Sequence, residues 1–209
     1  MVFTWIGDVR PLLEESRYRE YWSQTPKFRQ KKADHCRSPM GRAQSVGVWI
    51  LWQRARKRLG LPPEAVFNLS HSGHYALCSV ETEAGGDVLA GCDVERISVY
   101  RERVARRFFC AEEYDFIQAQ KDPEERRRMF FRYWTLKESF IKATRRGMGM
   151  ALDSFSIKVA DGAHPALEKC PAPYRDKNFY FREFALEGYR AAVCSTDPQI
   201  NDRLQWTHF

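Results

Sequence analysis

Two carboxylates stand one residue apart at the end of an apolar run, Gly91-Cys92-Asp93-Val94-Glu95. On a strand, alternate side chains share a face, so Asp93 and Glu95 project together while Cys92 and Val94 point the other way. Paired carboxylates repel unless a cation lies between them. Mg²⁺ suits such a pair, because it takes hard oxygen ligands, one or two of them from protein, and fills its shell with water and phosphate oxygens. An exposed strand end with solvated acids has the same local pattern. A second constellation lies in Tyr133-Trp134-Thr135-Leu136-Lys137-Glu138-Ser139-Phe140-Ile141-Lys142. Glu138 and Lys142 are i, i+4 and share one helical face. Alone they make an ordinary helix ion pair contributing about 0.3–0.5 kcal/mol. Facing the Asp93/Glu95 edge, Glu138 becomes a third metal ligand or a base, and Lys142 a phosphate contact.

Around Phe67-Asn68-Leu69-Ser70-His71-Ser72-Gly73, hydroxyls, an imidazole and free backbone amides gather at what reads as a tight turn before Tyr75. Such a turn cradles phosphate. It is a poor catalytic triad, because a serine adjacent to a histidine cannot bond to it in line and no Gly-x-Ser-x-Gly is present. Lys27, Arg29, Lys31 and Lys32, with Arg42 further on, form a second candidate anion site. Phe28 is the one aromatic set among Lys27 to Lys32, too little interleaving for base stacking, which argues against single-strand nucleic-acid binding. The run from Arg96 to Arg107 mixes cations with Val99, Tyr100 and Val104 and reads as a docking surface for an acidic protein or as a solvated basic helix.

The elements that must position these groups follow from periodicity. A short strand is predicted over residues 2–6, a helix from Pro11 to Trp22 and a helical turn in the basic segment 26–37. The clearest helix covers 43–59, ended by Gly60 and Pro62. Tyr75 to Glu81 and Val88 to Glu95 read as a hairpin joined through the turn-rich 82–87. A long helical pattern follows Arg96, with breaks near Cys110 and Asp122-Pro123. Strands return at 154–159, 179–185 and 189–194. Each half of the chain is helical first and strand-rich second. The expected fold is α+β, two packed halves divided near residue 96 (1–96 and 97–209).

The 209 residues, 44% hydrophobic, suffice for a sizeable core and exclude a disordered tail. The longest apolar run, Val46 to Trp52, falls far short of the ~20 residues a bilayer requires, and no signal peptide is visible. A net charge of +7 favours an anionic partner. The six cysteines show no CxxC spacing, so no zinc site is supported; Cys78, Cys92 and Cys194 sit in apolar runs and read as reduced core residues of a cytoplasmic protein.

In order and spacing, Phe67-Asn68-Leu69-Ser70-His71-Ser72-Gly73, then Gly91 to Glu95, then Arg107-Phe108-Phe109-Cys110-Ala111-Glu112-Glu113-Tyr114, then Trp134 to Lys142 resemble the Sfp-type 4′-phosphopantetheinyl transferases. The resemblance implies a pseudo-two-fold arrangement of two similar halves, each a small antiparallel sheet packed with helices, with the active site in the cleft between them. It implies an enzyme that moves the phosphopantetheine arm of coenzyme A onto a serine of an apo acyl or peptidyl carrier protein and releases adenosine 3′,5′-bisphosphate. It implies Asp93, Glu95 and Glu138 as Mg²⁺ ligands, Glu138 also as base, and Lys142 as the group meeting pyrophosphate charge. Ser70 and His71 resemble the family's contacts near the CoA 3′-phosphate, and Lys31 and Arg42, more loosely, its other phosphate contacts. Glu113 matches a glutamate whose role stays open. A monomer is expected, with neither nucleic acid nor membrane as partner. One departure stands out: the Gly-Lys-Pro that usually precedes this stretch is absent, and residues 60–66 carry no cation. A Mg²⁺-dependent nuclease and a non-catalytic CoA- or carrier-binding relative remain the alternatives.

Overall fold

The computed structural model describes residues 1–82, 87–160 and 162–209. Its elements are β1 (Val2–Asp8), α1 (Glu15–Ser23), α2 (Lys27–Asp34), α3 (Pro39–Leu59), β2 (Phe67–Ser72), β3 (Tyr75–Glu81), β4 (Ala90–Arg96), α4 (Glu102–Phe108), α5 (Ala111–Gln118), α6 (Pro123–Ala143), β5 (Ser156–Lys158), β6 (Ala166–Lys169), β7 (Tyr180–Leu186), β8 (Tyr189–Ser195) and β9 (Ile200–Thr207). The two long helices have clear punctuation. Ser38 accepts from the Gly41 amide to open α3, Pro39 takes its first position, and Gly60 closes it in the left-handed region. Asp122 and Pro123 do the same for the start of α6. The helix expected from Pro11 to Trp22 is broken at Glu14, whose backbone is extended, into a 3-10 turn and α1.

Two sheets form. The first has the order β2-β3-β1-β9, antiparallel except for the parallel β1–β9 pair, and the second is antiparallel, β4-β8-β7-β6-β5. Helix α3 covers the first sheet through Trp5, Ala76, Cys78 and Val80. Helix α6 covers the second through Leu136, Phe140, Ala192 and Cys194. The opposite faces meet each other, Ile6 and Leu77 against Cys92, Val94, Ala191 and Val193. The result is four layers, helix, sheet, sheet, helix, in the α+β class the sequence implied. All six cysteines are free, and Cys78, Cys92 and Cys194 are buried.

The expected hairpin of β3 with β4 is not formed. β3 already has β1 on one side and β2 on the other, so it offers no open edge to β4. β4 instead pairs with β8, placing Asp93 opposite Ala192 and Glu95 opposite Arg190. The turn expected between them lies largely at 83–86, outside the described residues. By sheet membership β4 goes with the second half of the chain and β9 with the first. The Ser70–Ser72 stretch is strand, not turn; the turn is Gly73-His74. Gly73 has φ +54, and a Cβ there would lie 2.3 Å from the Tyr189 hydroxyl, which accepts the His74 amide at 2.9 Å.

Candidate active site

β2 and β4 are edge strands of different sheets, yet they lie side by side. What joins them is a ladder of side chains. Asn68 Oδ1 accepts from the Cys92 amide at 3.1 Å, Ser70 Oγ from Val94 at 3.3 Å and Ser72 Oγ from Arg96 at 3.1 Å. Alternate residues of β2 thus satisfy alternate amides of β4, as a backbone ladder would. The same serines hold the carboxylates: Ser70 donates to Asp93 Oδ1 and Ser72 to Glu95 Oε2, both at 2.8 Å.

Helix α6 crosses over β4 at Gly91, and this brings the acidic pair under Glu138 and Lys142. Lys142 Nζ lies 2.7 Å from Asp93 Oδ1 and 3.0 Å from Ser70 Oγ. Asp93 is 2% exposed, and its Oδ2 is buried without a hydrogen-bond partner. Burial works against the Lys142 ammonium, but Asp93 outweighs it and holds Lys142 above its ordinary value. Burial and then the charge of Asp93 push Glu95 up to about 7. The same two causes, in the same order, raise Glu138, which accepts no hydrogen bond from a described residue. Three carboxylates therefore share one lysine, and each resists ionisation.

A divalent cation fits this donor set. The candidate ligands are hard oxygens, the negative charge is in excess, and Asp93 Oδ2 is an unmatched buried acceptor. Among the described residues no three acidic, histidine or cysteine side chains form a ready-made cage, so ligand oxygens would have to complete the shell. Asp93, Glu95 and Glu138 are the residues that would hold the ion.

A cluster of cations adjoins the node. His71 presents area to solvent, yet partial desolvation and the charges of Lys142, Lys32 and Arg29 hold its imidazole below the ordinary value. Arg29 is 9% exposed, its guanidinium carbon lies 4.8 Å from the Trp49 ring centre, and its Nε is buried without a partner. Burial depresses it, and among the described residues no carboxylate relieves it. Of the basic segment, the charges of Arg29 and Lys32 are felt at His71, and Lys31 and Lys32 are both exposed on α2. Arg42 is half-buried in the first turns of α3, where its charge is felt by the Tyr18 phenol. On the other side of Lys142 a cleft of about 570 Å³ runs between Glu138 and Ile141 on α6, Phe108, and Met150 and Leu152. A groove beside it is lined by Glu95, Val99, Val104, Phe108 and Trp134. Within it Val99 is 76% exposed, but Tyr100 is not an exposed residue: it packs on Phe130 and accepts from Gln118. Lys137 escaped the sequence reading. It is buried against Glu113 at 2.9 Å, a pairing between distant residues that no local spacing displays.

The 4′-phosphopantetheinyl transferase superfamily profile matches residues 90–194, the span from β4 to β8 that contains Asp93, Glu95, Glu113, Glu138 and Lys142. The chain belongs to that superfamily. It is 34% identical over 144 residues to a 4′-phosphopantetheinyl transferase of Bacillus subtilis, covering 68% of this chain and 60% of the relative. It is 33% identical to 4′-phosphopantetheinyl transferase Sfp of Bacillus subtilis strain 168, over 66% of this chain and 58% of that one. To the 4′-phosphopantetheinyl transferase HetI of a Nostoc species it is 37% identical over 51% of this chain and 44% of the other. The chain thus spans at most about three-fifths of these relatives' lengths. A crystal structure of a holo-(acyl-carrier-protein) synthase from Bacillus anthracis aligns over 51% of this chain and 93% of its own, with TM-score 0.44 and 14% identity. Among the described residues no helix is long and apolar enough to cross a membrane.

Proposed function

We propose that this chain transfers the 4′-phosphopantetheine arm of coenzyme A to a serine of an apo acyl or peptidyl carrier protein, with Mg²⁺, and releases adenosine 3′,5′-bisphosphate. The observation that carries this is the node where β2, β4 and α6 meet. Three carboxylates, one lysine and one serine converge between a cationic cluster and an open cleft. Family membership supplies the reaction class. All the residues involved come from one chain, so no second copy is required.

The carrier hydroxyl oxygen attacks the phosphorus that bears the pantetheine arm. The bond from that phosphorus to the bridging oxygen breaks, and the nucleotide leaves with its 5′-phosphate. Glu138, half-buried and without a hydrogen-bond partner among the described residues, takes the serine proton. Lys142 turns its ammonium toward the phosphate charge that grows as the bridging bond breaks. Ser70 holds Asp93 in place while Lys142 does so. A cation at Asp93, Glu95 and Glu138 supplies charge neutralisation at the pyrophosphate. Arg29, Lys32 and His71 take the nucleotide phosphates and stand in for the cation missing from residues 60–66. The groove from Val99 to Trp134, beside the basic run of α4, receives the carrier.

Intact mass of an apo carrier incubated with this protein, CoA and Mg²⁺ tests the whole reading. The expected result is a gain of one phosphopantetheinyl group, abolished by EDTA. CoA binding without product on any acyl or peptidyl carrier would make the chain a non-catalytic relative. The cationic cluster has its own test. Arg29→Met is expected to weaken CoA binding about tenfold, the scale of one charge-assisted hydrogen bond, as measured by titration calorimetry. An unchanged affinity would place the nucleotide elsewhere.

A further inference from the structure

Glu113 and Lys137 are buried, at 2% and 0% exposure, and take no part in the chemistry above. Lys137 Nζ meets three acceptors: Glu113 Oε2 at 2.9 Å and the carbonyls of Leu152 at 2.8 Å and Phe155 at 2.6 Å. These use all three of its protons. Glu113 Oε2 also accepts from the Cys110 amide at 3.0 Å, and Oε1 from the Ile157 amide at 2.9 Å. One side-chain pair therefore joins the start of α5, the middle of α6, the segment ending at Phe155, and β5.

The direction of these bonds matters. Leu152, with Met150, Ala151 and Asp153, walls the cleft whose other side carries Glu138 and Lys142. Between α6 and β5 that wall has no regular structure beyond two 3-10 turns, Gly147–Gly149 and Leu152–Ser154. Lys137 bonds to two of its carbonyls and is the residue immediately before Glu138. Stability alone does not call for such a pair, since well-packed apolar residues of the same volume do as well or better. What apolar residues cannot do is fix a carbonyl-rich segment at hydrogen-bond distance from a particular helix position.

We propose that the Glu113–Lys137 pair is a positioning element, clamping the cleft wall of residues 147–155 to α6 at a set distance from Glu138 and Lys142. Its catalytic consequence rests on the transfer reading of that cleft. With the clamp in place, the arm and the carrier serine meet Glu138 in one geometry. Without it the wall moves while the nucleotide end of CoA stays held by residues of β2 and α2.

The test compares Lys137→Met and Glu113→Gln with the wild-type protein, with activities expressed per folded molecule. Amide exchange in 147–155 is expected to rise about tenfold or more, with α3 and β1 unchanged. Turnover is expected to fall about tenfold or more, since ångström-scale misplacement of reacting groups has effects up to about 10². CoA affinity by calorimetry is expected to stay within about threefold of wild type, because its phosphate contacts are untouched. A purely structural pair gives the opposite pattern: exchange rising throughout the chain, or lower stability with wild-type turnover per folded molecule. Either result overturns the proposal. Should Lys137→Met not fold, Glu113→Gln decides, since it keeps the side-chain size and one acceptor oxygen. Failure of both to fold assigns the pair to structure and also overturns the proposal. A wild-type protein that transfers nothing defeats the proposed function instead, and the exchange measurement still decides the clamp.

Discussion

Lys142→Met is expected to lower transfer by about 10²-fold or more and, in the same protein, to increase the stabilisation that Mg²⁺ gives. Both effects have one cause. Lys142 is the cation within hydrogen-bond reach of Asp93, which is 2% exposed, and its charge also opposes the rise in Glu95. Methionine keeps the length and removes the charge. The donor to the developing phosphate charge is lost, which slows the chemistry. Asp93, Glu95 and Glu138 are left facing one another without a counter-charge. Removing one partner of a buried pair costs about 3–5 kcal/mol when nothing replaces it, and the 28% exposure of the Lys142 side chain puts this pair toward the lower end. With roughly 2–4 °C per kcal/mol for a chain of this size, a fall in Tm on the order of 10 °C in EDTA follows. A cation bound at the same carboxylates restores part of that loss. Thermal unfolding of both proteins, each with EDTA and with Mg²⁺, is the measurement. A larger Mg²⁺-induced rise in the variant places the ion at these carboxylates. An equal or absent rise removes Asp93, Glu95 and Glu138 as its ligands, whatever the transfer assay shows.

The residues of this node were legible in the sequence because their relations are local. Period two puts Asp93 and Glu95 on one face of a strand, and period 3.6 puts Glu138 and Lys142 on one face of a helix; both hold. That the two faces meet came only from the family resemblance. The partner of β4 was not legible. Chain proximity suggested β3, but β3 has both edges taken, and β4 is held instead by Asn68, Ser70 and Ser72 reaching across from another sheet. Hydrophobic periodicity carries no trace of a ladder made by polar side chains. β9 was invisible for a related reason. Ile-Asn-Asp-Arg-Leu-Gln-Trp-Thr is an edge strand paired on one side, mostly half-exposed, and so lacks the apolar alternation of a buried one. In the basic segment, the sequence could not show which cations pack inward, since that depends on how α2 sits on α3: Arg29 is buried there, while Lys31 and Lys32 are both exposed.

Gly91→Ala is expected to be the most damaging single methyl group that this chain can gain near its site. Gly91 lies on β4 beneath α6, and a Cβ there would sit 2.2 Å from the Ala143 amide nitrogen, 2.4 Å from the Ser139 carbonyl oxygen and 2.8 Å from Ala143 Cα. All three are helix backbone, so nothing rotates aside as a side chain would. The helix must retreat by about 1 Å, a forced shift of the kind that costs typically 1–3 kcal/mol and occasionally more. A fall in Tm of about 2–12 °C follows. The functional loss is larger than the stability loss implies. Ser139 directly follows Glu138 and Ala143 directly follows Lys142, so the retreating backbone carries both groups away from Asp93. Misplacement by about 1 Å can cost on the order of 10² in rate. Gly149→Ala is the matched control for stability, since a Cβ there meets nothing within 4 Å and its φ is not positive; its Tm is expected to stay within about 1–2 °C of wild type. Single-turnover transfer by folded Gly91→Ala protein, alongside thermal unfolding of both variants, separates the two effects. If Gly91→Ala unfolds and transfers like wild type, the close approach of α6 to β4 is not what sets Glu138 and Lys142 over the acidic pair. If it folds with lowered Tm and transfers about a hundredfold more slowly, the site depends on a glycine that touches no substrate, because the contact of strand and helix at Gly91 sets where the reacting groups stand.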